Sequence, residues 1–435
     1  MLNPDEVKEA CDYIRFLGRS TGLVRTGIGA GRQDVNVSCK GGTRVEIKGV
    51  AHTRLIPELT HNECFRQWAL LKIREKLLLQ FKDFSGWKIK KEALHFHSFN
   101  FVFPPIVYAK KKRHNLIAVN LPGFKGILSH FTQPGKMFSD EIEERLKVIA
   151  CLERPNMAHS EEFEPVILAK DWTTIREILG SGPEDAQIVI WGEEEDMPTA
   201  LETIEERCQM AFKGVPNETR KSFIDGTTIF ERVLPGADRM YPDTDSPPIP
   251  LEDSLIDKLS EDLPEDIMNR FRQLQEWGVP EDTFIYIFKK NLYPEIFRIV
   301  TELKVNPVLT ATLFAHKLKF VEGHYKSGHE FQYSLIYDLL KFLSDKGLDP
   351  EIAKKMLHII YQYPKMDFES VLVNIRFRKI GRDEIISHIS LLRNKYADIK
   401  FTEKLEAETN WIMGQLYPMA AGNMSLTELS THVDK

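Results

Sequence analysis

The sequence has few cysteines, no long hydrophobic run and no excess of basic residues. Its 435 residues include five cysteines, which are scattered and form no C-x-x-C pair, so neither a disulfide framework nor a zinc site is predicted. No stretch reaches the roughly 18 consecutive apolar residues of a membrane-spanning helix. The segment from Met1 to Glu6 has neither the basic nor the apolar region of a signal peptide. We therefore expect a soluble, cytoplasmic protein.

The net charge of the chain is negative, so the chain as a whole does not attract nucleic acid. Acidic residues outnumber basic residues 64 to 58, and the formal net charge at pH 7 is −6. Any nucleic-acid site must therefore depend on a local basic patch. Hydrophobic residues make up 42% and charged residues 28% of the chain, which is ordinary globular composition and excludes collagen-like and wholly disordered proteins. The length corresponds to about three domains.

The N-terminal region predicts a helix and then a turn. Residues 3–17 carry apolar side chains at helical spacing, with Asn3 as a favoured capping residue and Pro4 at the first helical position. The glycine-rich run 27–31 resembles a phosphate-binding loop, but such a loop follows a strand and opens a helix. Here the sequence continues with strand-like alternation, so we predict a flexible turn instead.

Two short alternating segments, 34–38 and 44–48, flank a Gly-Gly pair and predict a β-hairpin. In an antiparallel hairpin, the numbers of every two opposite residues have the same sum, and this sum defines the register. If the sum is 82, Asp34 lies beside Lys48. A sum of 80 would instead bring Asp34 beside Glu46. Either register makes one face apolar and the other polar, and by pattern alone a polar face is more often solvated than functional. The polar face comprises Asp34, Asn36, Ser38, Arg44, Glu46 and Lys48.

Positive charge is concentrated in three local stretches. Residues 66–91 contain eight basic and two acidic residues, and residues 371–400 contain seven basic and three acidic residues. The third stretch is a run of four basic residues that begins at Lys110. Such runs are usually solvated, but local positive charge is also the footprint of an RNA-backbone contact. The predicted backbone contacts are Lys110, Lys111, Lys112, Arg113, Arg376, Arg378, Lys379 and Arg382.

The middle of the chain, residues 88–206, mixes short strands and helices. His95 and His97 have no further cysteine or histidine close by, so we interpret them as strand residues rather than metal ligands. The Pro/Gly/Asp-rich stretch 233–250 predicts a linker or a functional loop, and the chain after Leu251 predicts amphipathic helices. Within the middle region we expect strands at 102–107, 116–119 and 187–191 and helices at 140–150 and 169–179.

Several motifs, taken in order, resemble one family. Residues 32–38, 45–49 and 63–67 are similar to the distal part of the catalytic cradle in the B/E subunits of glutamyl-tRNA(Gln) amidotransferases. The stretches Gly-Val-Pro-Asn-Glu-Thr-Arg at 214–220 and Leu-Pro-Gly-Ala-Asp-Arg-Met-Tyr-Pro at 234–242 resemble the archaeal-type E subunit. The chain is therefore identified as a member of this family.

The resemblance implies a multidomain α+β fold with three kinds of substructure. These are an antiparallel-sheet portion of the cradle, an inserted α+β domain of the aspartyl-tRNA-synthetase type and an all-helical C-terminal tail. The implied domains are the distal cradle at 1–87, the inserted domain at 88–206, a return segment of the cradle at 207–250, a helical domain at 251–330 and a helical tRNA-binding tail at 331–435.

The resemblance also implies a ligase subunit that converts Glu-tRNA(Gln) to Gln-tRNA(Gln). Members of the family use ATP and Mg²⁺ to phosphorylate the γ-carboxylate, because a carboxylate is a poor electrophile, and ammonia then displaces the phosphate. The ammonia is released from glutamine or asparagine by a separate, asparaginase-like D subunit. The implied partners are that subunit and tRNA(Gln) charged with Glu. Binding to DNA or to a membrane is not expected.

The resemblance assigns roles to the polar hairpin face. Asp34 and Glu46 are implied as catalytic residues and Mg²⁺ ligands, Asn36 would orient them, and Arg32 and Lys48 would contact ATP phosphates. A second group would form the wall that receives the tRNA acceptor end, and the alternative for this group is a structural turn held by capping and charge pairs. The second group is Glu218, Thr219, Arg220, Arg239 and Tyr241.

In the family, the cradle begins upstream of the motifs present here. We therefore consider three explanations: the sequence is a fragment, a separate chain supplies the rest of the cradle, or the kinase step has been lost. In the third case the chain would be a non-catalytic tRNA-binding relic. In all three cases, we expect the chain alone to show no ATP-dependent amidation.

Overall fold

The structure, a computed structural model, describes most of the chain and divides it into two compact units. The first unit comprises residues 1–12 and 25–250, and the second comprises residues 13–24 and 251–435. No helix in the described part is both long and apolar enough to cross a membrane. The described residues are 3–25, 27, 30, 31, 33–234, 249–261, 263, 265–399, 404 and 406–434.

Up to residue 250, short strands alternate with helices. The helix predicted at the N-terminus is confirmed, and Asn3 caps it by accepting a hydrogen bond from the Glu6 backbone N–H at 2.9 Å. The elements are α1 (Pro4–Ser20), β1 (Val35–Val37), β2 (Val45–Lys48), α2 (Ile56–Gln80), β3 (Lys90–Ala93), α3 (Pro104–Lys112), β4 (Asn115–Leu121), β5 (Phe131–Gln133), β6 (Lys136–Met137), α4 (Phe138–Ile149), β7 (Met157–His159), α5 (Ala169–Leu179), β8 (Ala186–Gly192), α6 (Met197–Lys213), β9 (Glu218–Ser222) and β10 (Thr228–Val233).

The predicted hairpin is present as β1 and β2, in a four-stranded sheet with the order β1-β2-β9-β10. Val35 pairs with Ile47, so the residue numbers of paired positions sum to 82. Burial excludes an odd sum, because Val35, Val37 and Ile47 pack with Ile56 and Leu59 of α2 in one apolar cluster. A slip of one residue would turn both valines to the polar face.

This sheet is mixed, whereas the cradle portion was predicted to be antiparallel. The pairs β1–β2 and β9–β10 are antiparallel, but β2 pairs with β9 in parallel. Parallel neighbours require a long crossover connection, and here the chain runs through α2 and the whole second sheet before it returns at β9. The hairpin pattern carries no information about such a distant neighbour.

The second sheet has the antiparallel order β3-β4-β8-β7. Successive side chains of β8 point to opposite faces. Ile188 and Ile190 pack with α2, α4 and α6. Val189 and Trp191 pack with α3 and α5. The sheet is therefore covered on both faces, which explains why β8 has the continuous apolar run that predicted a strand.

Four of the five elements expected within residues 88–206 are confirmed, by β4, β8, α4 and α5. The strand expected at 102–107 is wrong, because this segment enters helix α3. Two prolines occupy the first turn of α3, where a missing N–H costs nothing. His95 and His97 do not lie in a strand either. They belong to a short helical turn after β3.

The described part of the second unit contains helices and no strand, as predicted. A π-helical segment, Leu313–Leu318, joins two of the helices. The helices are α7 (Asp253–Glu261), α8 (Ile267–Glu276), α9 (Phe284–Lys290), α10 (Tyr293–Leu303), α11 (Pro307–Thr312), α12 (Lys319–His324), α13 (Ser334–Asp345), α14 (Ala353–Gln362), α15 (Phe368–Asn374), α16 (Arg382–Ile399), α17 (Ala407–Ala420) and α18 (Leu426–Val433).

The second unit has two apolar cores. The larger core runs from Ile267 to Leu372, and the smaller runs from Ile385 to Val433. The larger core extends across residue 330, where a domain boundary was placed from the sequence. All the domain boundaries and the insertion of residues 88–206 stay predictions.

Candidate functional site

The polar face of the β1–β2 hairpin brings together four of the residues predicted to act in catalysis. The Lys48 Nζ atom lies 3.0 Å from Asp34 Oδ2 and 2.8 Å from Glu46 Oε1. Asn36 is paired across the hairpin with Glu46 and is exposed. The register therefore places both carboxylates, one amide and one ammonium on a single face.

Lys48 is the central charge of this face. Its hydrogen bonds to Glu46 and Asp34 raise its pKa, so the ammonium form is favoured. The Lys48 side chain is 19% exposed, because the two carboxylates enclose its end. An ammonium held in this way is less accessible to a phosphate than the sequence suggested, and the predicted role of Lys48 as a phosphate contact stays a prediction.

The parallel pairing of β2 and β9 adds a residue that the sequence analysis missed. Lys221 lies beside Lys48 in the register, on the same face, and is exposed. Ser222 fixes the two strands by donating a hydrogen bond to the Lys48 carbonyl oxygen at 3.0 Å. Within the described ranges the Lys221 ammonium makes no ion pair. Nothing in the sequence around Lys221 indicates this position, since it depends on a neighbour about 170 residues away.

Asp34 and Glu46 are also the pair assigned to Mg²⁺ from the sequence. In the described part of the chain, no three or more His, Cys, Asp or Glu side chains form a metal-binding group. Mg²⁺ is usually bound by one or two carboxylates together with water and substrate phosphates, so a pair of carboxylates fits it. Both carboxylates already contact one cation, the Lys48 ammonium, and their role as Mg²⁺ ligands stays a prediction.

A buried ionic network lies on the opposite side of the same sheet. Glu218 and Arg220 of β9 reach it because they alternate with the side chains of the polar face. Arg66 of α2 forms ion pairs with Glu63 at 3.1 Å and with Glu141 and Glu218. The network comprises Glu63, Arg66, Glu141, Glu144, Arg145, Arg207, Glu218 and Arg220, all of them buried.

The charges of this network compensate each other, with four arginines and four glutamates. Burial by itself raises the pKa of Glu141, but Arg66 and Arg207 outweigh it and hold that pKa well below its usual value. Burial also opposes ionisation of Glu218, and again the neighbouring arginines lower its pKa. These carboxylates are therefore ionised at neutral pH and bind α2, α4 and α6 to the inner strand of the sheet.

Three of the five predicted acceptor-end residues are buried in the structure. Glu218, Thr219 and Arg220 lie in strand β9 rather than in a turn, and all three are 0% exposed. Glu218 and Arg220 are buried because they belong to the ionic network with Arg66 of α2 and with α4. Arg239, Tyr241 and the predicted phosphate contact Arg32 lie outside the described residues.

Both predicted basic clusters are exposed. Lys110, Lys111 and Lys112 end helix α3, and Arg113 follows in a left-handed conformation with φ of 59°. The second cluster connects α15 to the start of α16 in the second unit, and its last member forms a surface ion pair of 3.4 Å with Glu428. This cluster comprises Arg376, Arg378, Lys379 and Arg382, all exposed. Their contact with an RNA backbone stays a prediction.

Comparison with known proteins agrees with the resemblance carried by these motifs. The family described as "GatB/GatE catalytic domain" matches residues 1–257. The E subunit of the glutamyl-tRNA(Gln) amidotransferase from Sulfolobus acidocaldarius is 30% identical over 430 residues, which cover 97% of this chain and 67% of that relative. The E subunit from Methanocaldococcus jannaschii is 30% identical over 95% of this chain and 65% of its own length.

A third relative, the E subunit from Pyrococcus horikoshii, is 34% identical over 323 residues, or 73% of this chain and 49% of the relative. The chain thus spans about two thirds of the length of the first two relatives. Similarity at this level extends through both units and includes the hairpin that carries Asp34, Glu46 and Lys48. The chain therefore belongs to the GatB/GatE catalytic-domain family and is similar over nearly its whole length to the archaeal E subunits of this amidotransferase.

Proposed function

We propose that this chain is a subunit of a tRNA-dependent amidotransferase that converts Glu-tRNA(Gln) to Gln-tRNA(Gln) with ATP. The observation that carries the proposal is the convergence of Asp34, Glu46 and Lys48 on one polar sheet face in a member of the GatB/GatE family. The relatives are named for glutamyl-tRNA(Gln) and as subunits, which supports a charged tRNA as substrate and the presence of partner subunits. We propose that one of these partners is an ammonia-supplying D subunit.

The chemistry requires two steps. First, an oxygen of the tRNA-borne γ-carboxylate attacks the γ-phosphorus of ATP, the bond to ADP breaks, and a γ-glutamyl phosphate forms. Ammonia then attacks the activated carbonyl carbon, inorganic phosphate leaves, and loss of a proton gives the amide. The first step brings together several negative charges, so the site must supply cations around the phosphates.

The hairpin face provides residues for the first step. Asp34 and Glu46 are the oxygen ligands that would hold Mg²⁺, and Asn36 lies beside them as an amide that orients the carboxylates. When bound, Mg²⁺ would neutralise phosphate charge and align the γ-phosphoryl group. Lys48 keeps the two carboxylates together, and Lys221 offers an exposed ammonium for a phosphate oxygen on the same face.

The proposal is tested by a product assay. The chain, a polypeptide that supplies the upstream part of the cradle, an ammonia-supplying partner subunit and Glu-tRNA(Gln) are incubated with Mg²⁺ and an amide donor. The amino acid on the tRNA is then identified after deacylation. We expect glutamine when ATP is present and only glutamate when ATP is omitted. Tight tRNA binding without any amidation would instead support the non-catalytic relic. Amidation without ATP would exclude the activation chemistry.

Replacement of Lys221 by glutamine is expected to raise the KM for ATP about tenfold, because one charge-assisted contact to phosphate is lost and tenfold corresponds to about 1.4 kcal/mol. The affinity for tRNA is expected to stay the same. Steady-state kinetics at varied ATP concentration measure the change. The matched control is Lys213→Gln, an exposed lysine at the end of α6. If both variants leave the KM unchanged, Lys221 does not contact ATP.

Binding of tRNA is expected to weaken steeply with salt. If about six of the exposed basic residues neutralise phosphates, the logarithm of the binding constant should fall against the logarithm of salt concentration with a slope of about −5. Neutralising Lys110, Lys111 and Lys112 together should make the slope shallower by roughly three. Filter binding at several salt concentrations measures this. A slope unchanged by the triple variant would show that α3 is an ordinary solvated helix.

A further inference from the structure

Two of the five cysteines meet in the first unit, although they are 25 positions apart in the sequence. Cys39 lies in the loop that connects β1 to β2, and Cys64 lies in α2. The Cys39 thiol donates a hydrogen bond to the Cys64 carbonyl oxygen at 3.8 Å. Both cysteines are free thiols in the structure. Neither has a role in the amidation chemistry proposed above.

The loop that carries Cys39 is held firmly against α2. Gln67 of α2 accepts a hydrogen bond from the Cys39 backbone N–H at 2.9 Å and donates one to the Val37 carbonyl oxygen at 3.1 Å. The loop packs so closely that a Cβ atom at Gly42 would lie 2.5 Å from the Gln67 Oε1 atom. Gln67 follows Cys64 by three positions and lies on the same face of the helix. The hydrogen bonds that hold the loop therefore also keep the two cysteines side by side.

The surroundings of the two thiols assign them different roles in an oxidation. Burial, together with the neighbouring side chains of Cys64 and Glu63, raises the pKa of the Cys39 thiol to about 12. Cys39 is therefore protonated at neutral pH and rarely supplies the thiolate that reacts with an oxidant. Cys64 lies at the edge of the apolar cluster around Val35 and is only partly buried, so a small oxidant can reach it. A reaction would begin at Cys64, with Cys39 as the second thiol.

We propose that Cys39 and Cys64 form an oxidisable dithiol site, in which hydrogen peroxide produces a disulfide that links the β1–β2 loop to α2. The Cys64 thiol loses its proton, its sulfur attacks a peroxide oxygen, and the O–O bond breaks. The released hydroxide takes up the proton to give water, and Cys64 becomes a sulfenic acid. The Cys39 sulfur then attacks the Cys64 sulfur, and the Cys39 proton leaves with the hydroxyl group as a second water. A thiol reductant reverses the reaction.

The test is oxidation of the full chain by hydrogen peroxide, followed by peptide mapping with mass spectrometry under non-reducing conditions. We expect a cross-linked peptide that contains Cys39 and Cys64, lacks two hydrogen atoms and disappears after treatment with dithiothreitol. Cys39→Ser should abolish the cross-link and leave Cys64 to be oxidised to a sulfinic or sulfonic acid, because the second thiol is missing. Cys64→Ser should leave Cys39 reduced. The matched control is Cys151→Ser at an exposed cysteine, which should not change the yield of the cross-link.

Urea unfolding gives a second readout. The oxidised wild type should unfold at a higher urea concentration than the reduced wild type, because a disulfide restricts the unfolded chain. Neither serine variant should show this shift after peroxide treatment. The proposal is overturned if peroxide leaves both thiols of the wild type reduced, or if Cys64 is oxidised to a sulfinic or sulfonic acid while Cys39 stays reduced. Cross-links of either residue to another cysteine would overturn it as well. The peptide map of the wild type decides these outcomes even if a variant folds poorly.

Discussion

Replacing Arg66 by methionine is expected to lower the free energy of unfolding of the first unit by about 3–5 kcal/mol. Arg66 is completely buried and contacts Glu63, Glu141 and Glu218. Methionine fills a similar volume but leaves these carboxylates without their shared cation in a low-dielectric interior. The cost of a buried charge without its partner far exceeds the net value of the ion pair itself. Hydrogen exchange of the β9 amides in increasing urea measures the change.

The matched control is Lys72→Met on the same helix. Lys72 forms an exposed ion pair with Glu75 at 2.8 Å, and such pairs contribute about 0–1 kcal/mol. A difference of several kcal/mol between the two variants is expected. If Arg66→Met destabilises the first unit no more than Lys72→Met does, the network is not what fastens β9 to the helices.

The double variant Asp34→Asn/Glu46→Gln is expected to slow amidation at least about 100-fold. Removal of one electrostatic contact to a charge that develops in the transition state lowers kcat by about this factor. Both substitutions keep the side-chain shape and remove the negative charges that would hold Mg²⁺. They also leave the Lys48 ammonium without its carboxylate partners. The affinity for tRNA should change by less than about twofold, since neither residue lies in a basic cluster. Single-turnover amidation and filter binding measure the two quantities.

A control with the same change in charge is the double variant Glu193→Gln/Glu195→Gln, at two exposed positions in the first unit. It should leave the amidation rate near that of the wild type. Equal losses of amidation and of tRNA binding in the hairpin variant would contradict a catalytic role and assign Asp34 and Glu46 to structure.

Much of the hairpin site could be predicted from the sequence, because local pattern and burial determine it together. Val35 and Ile47 must both face the core, which requires an even sum of paired residue numbers and places Asp34, Glu46 and Lys48 on one face. Burial leaves open whether Lys48 or Glu46 lies beside Asp34. The alternative register, with Asp34 beside Glu46, would have placed two carboxylates together without the intervening ammonium. In the structure the residue numbers sum to 82, so Asp34 lies beside Lys48. The Lys48 ammonium lies between the two carboxylates.

Other features could not be predicted because they depend on contacts between distant segments. The position of Lys221 follows from the parallel pairing of β2 with β9. Arg66 and Glu218 belong to residue types that are almost never fully buried unless they are paired, and no local pattern shows that their partners converge. The strand expected at 102–107 was wrong for a different reason, since a short apolar run fits a strand or a buried helix equally well.

ADP formation in a single turnover, with Glu-tRNA(Gln), ATP and Mg²⁺ but without an amide donor, shows whether the hairpin face activates the carboxylate. This isolates carboxylate activation from the supply of ammonia. We predict about one ADP per active site for the wild-type complex, none without charged tRNA, and almost none for Asp34→Asn/Glu46→Gln. Equal ADP formation by the wild type and the double variant would contradict the claim that the hairpin face activates the carboxylate.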